Sequence, residues 1–225
     1  MRSALIILAV FFGSCFALLK MHEANSLAVA AAPVSQGTAG TGTWTKLNFT
    51  FRALQDFELQ ARVLGVARYT SDIEAAVCPV DFALGWGPMA RPEVLKHFTI
   101  SQGNRWYYWE SKRPPIPPRE VVLHSANMHM IPSTPSIDAK LKSISYGQMI
   151  RFSGKLVEVT RTIPAEKGRG SPWRWVSSTS REDMGHGSCE IIYVEKLEVV
   201  PESEAAASGE GPALRLSDPV RAAGG

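Results

Sequence analysis

GQMIRFSGKLVEV, residues 147–159, is the stretch on which the fold turns. Gly147 supplies a turn, and Met149 to Thr160 reads as a long strand. Gly154 interrupts that strand, and an isolated glycine in a strand marks a bulge or a sharp bend. On its N-terminal side, Ile137, Leu141 and Ile144 fall at i, i+4 and i+7. That spacing predicts a short helix over Ser136–Ile144, with Ser136 as its cap. On its C-terminal side, Trp173–Ser178 and Cys189–Val199 predict two further strands. The second of these is apolar at Ile191, Tyr193 and Leu197 on one face.

Farther upstream, Phe57, Leu59, Ala61 and Val63 alternate within Leu54–Tyr69, which predicts a strand with a bulge at Gly65. Arg91–Phe98 carries Pro92 in a first helical turn and reads as a short helix. Arg105–Glu110, RWYYWE, is a strand by its aromatic content. Pro114, Pro115, Pro117 and Pro118 then force an extended segment that cannot pair, and Val121–His124 resumes a β pattern. Short strands with one or two short helices define a mainly β, α+β domain, folded as a small curled sheet or partly open barrel. The phrase at 147–159 resembles the opening of an oligonucleotide/oligosaccharide-binding (OB-like) barrel, which implies that architecture and no particular activity.

The 225 residues allow one domain with tails. A hydrophobic content of 45% excludes both wholesale disorder and a multi-span membrane protein. The net charge of +3 is spread among interleaved acids, unlike the clustered basic signal of a nucleic-acid binder.

Residues Ala4–Leu19, ALIILAVFFGSCFALL, carry no charge and no polar stripe at helical spacing. Residues 1–24 therefore read as a signal anchor or transmembrane helix. Ala28-Val29-Ala30 could serve as a cleavage site, but it lies well beyond the apolar run. A retained anchor is favoured over a removed signal, and a lipoprotein signal at Cys15 is disfavoured because apolar sequence follows it. The expected location is the inner (plasma) membrane, single-pass, with the domain facing the periplasm. The alternative is a secreted periplasmic protein after signal cleavage. Residues 25–43, rich in Ala, Gly, Ser and Thr, predict a flexible tether, and 201–225 a disordered tail. The β-rich extracytoplasmic domain is then 44–200.

Three polar clusters are candidate sites. In the first, a strand through His124, Ser125, Asn127 and His129 would turn Ser125, Asn127 and His129 to one face and His124 to the other. The second is the loop from Ser177 to Gly187, where Ser180, Arg181 and Asp183 could hold a ligand and Gly185 and Gly187 allow a tight turn. The third is Asp81, an acid inside an apolar run next to Gly85-Trp86-Gly87. A buried carboxylate needs a partner, and Arg105 or Arg181 could supply it. Trp86 joins this group as a candidate ligand contact. Alternation along Trp106–Trp109 sends one aromatic pair to the core and leaves the other for stacking. In an oxidising compartment Cys78 and Cys189 could form a disulfide. Neither has a metal-site or thioredoxin spacing, so the sequence assigns no metal and no cofactor.

PVD at 79–81 with ALGWGPM at 83–89, RWYYW at 105–109, HSANMH at 124–129 and SSTSREDMGHGSCE at 177–190 together resemble a family of uncharacterised bacterial envelope proteins with an N-terminal membrane segment. The resemblance covers roughly 69–197 and implies an exported domain. It carries no catalytic residue. The expectation is a membrane-anchored envelope protein presenting a binding or scaffold domain. Its partners are then the membrane, through the N-terminal helix, and other envelope proteins, with nucleic acid disfavoured. The competing readings are an envelope hydrolase with a His/Asp site and a glycan or single-stranded nucleic-acid binder.

Overall fold

The computed structural model describes residues 40–161, 173–180 and 188–202. The expected anchor, most of the tether and nearly all of the C-terminal tail lie outside these residues. Among the described residues no helix is long and apolar enough to cross a membrane. The domain is mainly β, with a curled sheet and short helices, as the sequence predicts.

Strand β1 (Thr43–Lys46) pairs with the long β2 (Phe49–Arg68). Upstream of β1, Gly40 donates its N–H to the Leu54 carbonyl at 3.0 Å. Strands β3 (Val80–Gly85), β6 (Ser125–Pro132), β7 (Met149–Arg161) and β9 (Glu190–Val200) complete the principal sheet, with the short β8 (Trp173–Val176) at its far edge. β2 pairs with β3, β3 with β6, β6 with β9, β9 with β7, and β7 returns to β2. The five strands thus close on themselves. β6 and β9 run parallel and the other pairs in the cycle are antiparallel.

Three register shifts accompany the closure of the cycle. In β2 one extra residue at Leu54 shifts the register against β7. The odd-numbered side chains on either side of it reach different clusters. Phe49 and Phe51 lie in an outer cluster with Val157, Val159 and Ile191, whereas Phe57, Leu59, Ala61 and Val63 enter the central core. A second shift falls between Val63 and Gly65, at the glycine marked by the sequence. In β7 the register against β9 slips at Gly154, where a Cβ would sit 2.0 Å from the Tyr193 carbonyl oxygen. Only glycine allows that crossing.

Helix α1 (Pro92–Leu95) forms where Pro92 predicts it. Two expectations need correction. Val121–His124 does not continue a strand: Pro118–Leu123 is a helix, α2, and β6 starts only at Ser125. Pro118 at the first turn has its φ preset for a helix, and Val121 turns into a buried cluster, which overrides β propensity. The third helix, α3 (Pro135–Ser143), is capped two residues earlier than predicted. Thr134, not Ser136, accepts the Ile137 N–H at 3.2 Å.

Residues 86–124 form an insertion between β3 and β6 that holds α1, α2 and a separate hairpin, β4 (Thr99–Gly103) with β5 (Trp106–Glu110). The insertion lies against the outer face of β3 and β6. Ala83 of β3 joins a cluster there with Met89, Val94 and Val121, and Tyr107 and Trp109 of β5 pack onto it. All six residues of β3 and all eight of β6 are therefore buried, on both faces.

Gly154→Ala is expected to destabilise the domain by about 1–3 kcal/mol, because the new methyl meets backbone and not a flexible side chain. Chemical denaturation of the variant checks this; a midpoint unchanged from the parent would refute the close crossing.

Candidate functional site

Alternation along β3 places Val80, Phe82 and Leu84 in the central core and points Asp81 outward. In the neighbouring β6, Ser125, Asn127 and His129 share that outer face, and His129 stands in register with Asp81. The insertion covers this face, so Asp81 is 0% exposed and His129 2%.

Asp81 is the hub. Its Oδ1 accepts from Arg105 Nη1 at 2.9 Å and from the Cys78 thiol at 3.5 Å. Asn127 Nδ2 reaches Oδ2 at 3.4 Å. His129 Nδ1 lies 3.0 Å from Oδ1, yet this buried nitrogen makes no hydrogen bond, because the ring does not aim along that contact. The His129 ring packs on Trp175, with centroids 4.6 Å apart.

Arg105 reaches Asp81 from the tip of the β4–β5 hairpin. Asn104 and Arg105 have φ of 53° and 65°, the left-handed pair that a two-residue hairpin turn requires. This backbone is unfavourable for arginine and is held by what the side chain makes. Its Nε and Nη2 engage Asp72 at 3.1 and 2.6 Å, its Nη1 also donates to the Cys78 carbonyl at 3.0 Å, and its guanidinium lies 3.7 Å over the Tyr69 ring. Gln102 of β4 donates to Asn127 Oδ1 at 2.8 Å, Asn127 donates to the Arg105 carbonyl at 3.1 Å, and Tyr107 OH bonds Ser125 Oγ at 2.8 Å. The insertion is thus fastened to β3 and β6 by polar side chains at one end and apolar packing at the other.

Burial opposes the charge on Arg105, but the hydrogen bonds to Asp72 and the charge of Asp81 raise its pKa above the ordinary value. Burial also disfavours the Asp72 carboxylate; Arg105 and the Ala75 N–H outweigh this and lower its pKa. Burial, then the nearby Asp81 charge, pushes the Cys78 thiol well up, so it remains protonated and is a poor nucleophile.

The other sequence candidates lie elsewhere. Trp86 is 1% exposed and its side chain fills the central core, while its backbone N–H donates to the His124 carbonyl at 2.9 Å. His124 ends α2, where its Nδ1 sits 2.9 Å from the Glu120 carbonyl and 3.3 Å from the Glu120 carboxylate. It does not join His129. Ser180 is exposed and its N–H bonds Ser178 Oγ at 3.0 Å. Arg181 and Asp183 lie outside the described residues, and Arg105 is the arginine seen on Asp81. Cys78 and Cys189 are not joined by a disulfide; the Cys78 thiol is directed at Asp81 and the Val80 carbonyl. The sequence reading missed Cys78, Asp72, Tyr69 and Gln102 as members of the cluster. The one available signal was Cys78 three residues from Asp81, a spacing that coincides with no recognised motif.

An open cavity of about 670 Å³ lies beside this network, between the second half of β2 and β4. Leu64, Phe98 and Ile100 give it an apolar wall, and Arg68, Gln102 and the exposed Tyr146 add polar edges. Among the residues singled out from sequence as site candidates, none lines it. No family model, curated protein or solved structure matches the chain.

Removing Arg105 leaves a buried carboxylate without its cation. Arg105→Ala is expected to cost about 3–5 kcal/mol in a denaturation titration, and a loss under about 1 kcal/mol would deny the pair its role. The pH response has a defined sign. Asp72 and Glu158 both have lowered folded-state pKa values, Glu158 through hydrogen bonds from Arg174 and Arg52. Their stabilisation is present above the ordinary carboxylate range and is lost as pH falls below about 4. Thermal midpoints across that range check this, and Asp72→Asn should flatten the slope.

Proposed function

We propose that this chain is a non-enzymatic envelope protein. Its N-terminal apolar segment tethers to the inner membrane an OB-type barrel that presents a binding or scaffold surface to the periplasm. The strand cycle supports the OB-type assignment. Its neighbours run β2-β3-β6-β9-β7 and back to β2, with the third and fifth strands parallel and a helix, α3, between the third and fourth. In this reading the opening strand is the long, twice-bulged β2, and the phrase at 147–159 is the fourth strand.

One observation carries the non-enzymatic half. Among the described residues of the cluster, the groups able to do acid–base chemistry, Asp81, His129 and Cys78, are gathered within 4.8 Å of one another and buried beneath a covering insertion. A hydrolase needs such groups to face a space that a reacting atom can enter. The outer face of the second and third strands, where barrels of this type take up ligands, is here occupied by the protein's own hairpin. One concavity left open among the described residues is the neighbouring cavity walled by Leu64, Phe98 and Ile100, of a size suited to a small ligand or a partner's side chains.

Fractionation tests the reading. The full chain should pellet with membranes, resist extraction at high pH, and become protease-sensitive only once the outer membrane is opened. A variant lacking residues 1–39 should move to the soluble fraction with native near-ultraviolet dichroism. Full-length protein found wholly in the cytosolic fraction would overturn the proposal. N-terminal sequencing of the mature chain separates a retained anchor from a cleaved signal.

A further inference from the structure

Leu64, Gly65, Val66, Ala67 and Arg68 follow one another along β2, and all of them line the open cavity. Side chains of consecutive strand residues point to opposite faces, so what these residues share with the cavity is the edge of the strand. On that edge the Val63 N–H donates to the Gln148 carbonyl at 2.9 Å, and the Val63 carbonyl accepts from Gly147 at 2.8 Å. Past Val63, no strand among the described residues pairs with it. The opposite edge is taken by β3, where the Tyr69 N–H on the Pro79 carbonyl at 2.9 Å sets the alternation. Tyr69, Ala67 and Gly65 turn their backbone groups toward β3, so Val66 and Arg68 turn theirs outward. Strand β4 repeats this across the cavity. The two-residue turn at Asn104 and Arg105 makes Gly103 and Trp106 a hydrogen-bonded pair, so Ile100 and Gln102 present their backbone away from β5.

We infer that this cavity takes an extended segment of a partner protein, added as a strand to the free edge of β2. Unpaired N–H and C=O groups along a strand edge are a template for another chain. The surrounding side chains define the sequence that fits. Leu95, Phe98 and Ile100, each half-buried, form an apolar wall on the side of the insertion. Val66 packs toward the central core, and Arg68, two residues on, shares its face. The Nη2 of the exposed Arg68 donates to the Lys142 and Ile144 carbonyls at 3.0 and 3.2 Å, which orients the guanidinium and leaves its charge without an acid among the described residues. Arg62, Arg105 and Arg151 each have an acidic partner. Among the described residues, no acidic side chain lines the cavity. The complementary segment therefore alternates apolar and acidic residues: one face meets Phe98 and Ile100, and the other brings a carboxylate to Arg68.

This deepens the binding reading proposed above and rests on it for the choice of surface, not for attachment to a membrane. A cytosolic chain that binds such a segment would sink the membrane reading and leave this one standing.

The probe is a short capped peptide alternating valine and glutamate, titrated into the isotope-labelled full chain in mild detergent. Saturable binding is expected, with the Val66 and Arg68 amides protected from hydrogen exchange about tenfold or more over the free chain. N-methylating alternate peptide amides, in at least one of the two possible sets, should abolish binding. Arg68→Glu should weaken it about tenfold or more and shift the preference to a valine–lysine peptide. Val66→Pro removes an N–H that no described strand uses, so this variant should fold and fail to bind. No saturation at millimolar peptide, or binding indifferent to N-methylation of both sets, overturns the inference, and neither readout needs a substituted chain. Protection of the Val66 and Arg68 amides before peptide is added, lost on dilution or on removing residues 203–225, assigns the edge to a second copy or to the chain's own tail and also overturns it.

Discussion

A carboxylate with no access to water governs how this domain is put together. Strand β3 has side chains on two faces, and β alternation leaves Asp81 on the face opposite Val80, Phe82 and Leu84. The insertion buries that second face too. An unpaired charge there would cost several kcal/mol, so neighbouring elements must bring partners to it. Arg105 comes from the tip of the hairpin, Asn127 and His129 from β6, and Cys78 from the approach to β3. Each interaction fixes one element relative to the strand cycle, so the position of the insertion follows from satisfying one residue.

The same requirement accounts for an otherwise unfavourable turn. Arginine gains nothing from a left-handed backbone, and a two-residue hairpin loop is better served by glycine or asparagine. Asn104 meets that preference; Arg105 does not. Its guanidinium, stacked on Tyr69 and bonded to Asp72, Asp81 and the Cys78 carbonyl, offsets the local cost. Tertiary electrostatics here overrides turn chemistry, and a polar anchor secures a hairpin whose other attachment is apolar, through Tyr107 and Trp109.

Gly154 and Gly65 were legible as interruptions because a lone glycine in an apolar strand has few other uses, and both fall at register shifts. Pro92 and the Ile137/Leu141 spacing likewise located α1 and α3. Val121–His124 was misread because β propensity measures fit to a half-buried pleated surface, whereas Pro118 started a helical turn that packed Val121 inward. The cluster was legible in part. An acid within VDFAL demanded a partner, and Arg105 was one of two candidates. Cys78, Asp72, Tyr69 and Gln102 could not be read, since their approach to Asp81 depends on strand pairing and on how the insertion folds back.

By itself the amino-acid sequence determined the β-rich class, the glycine bends and the requirement that Asp81 be compensated. These are local consequences of alternation, backbone freedom and the cost of burying charge. Tertiary structure alone decided that the strands close into a cycle, that His124 and His129 part company while His129 meets Asp81, and that Trp86 is core. Those outcomes rest on pairings between residues distant in the chain. Moving a strand by one residue exchanges its inner and outer faces, and nothing short-range in the chain sets that choice.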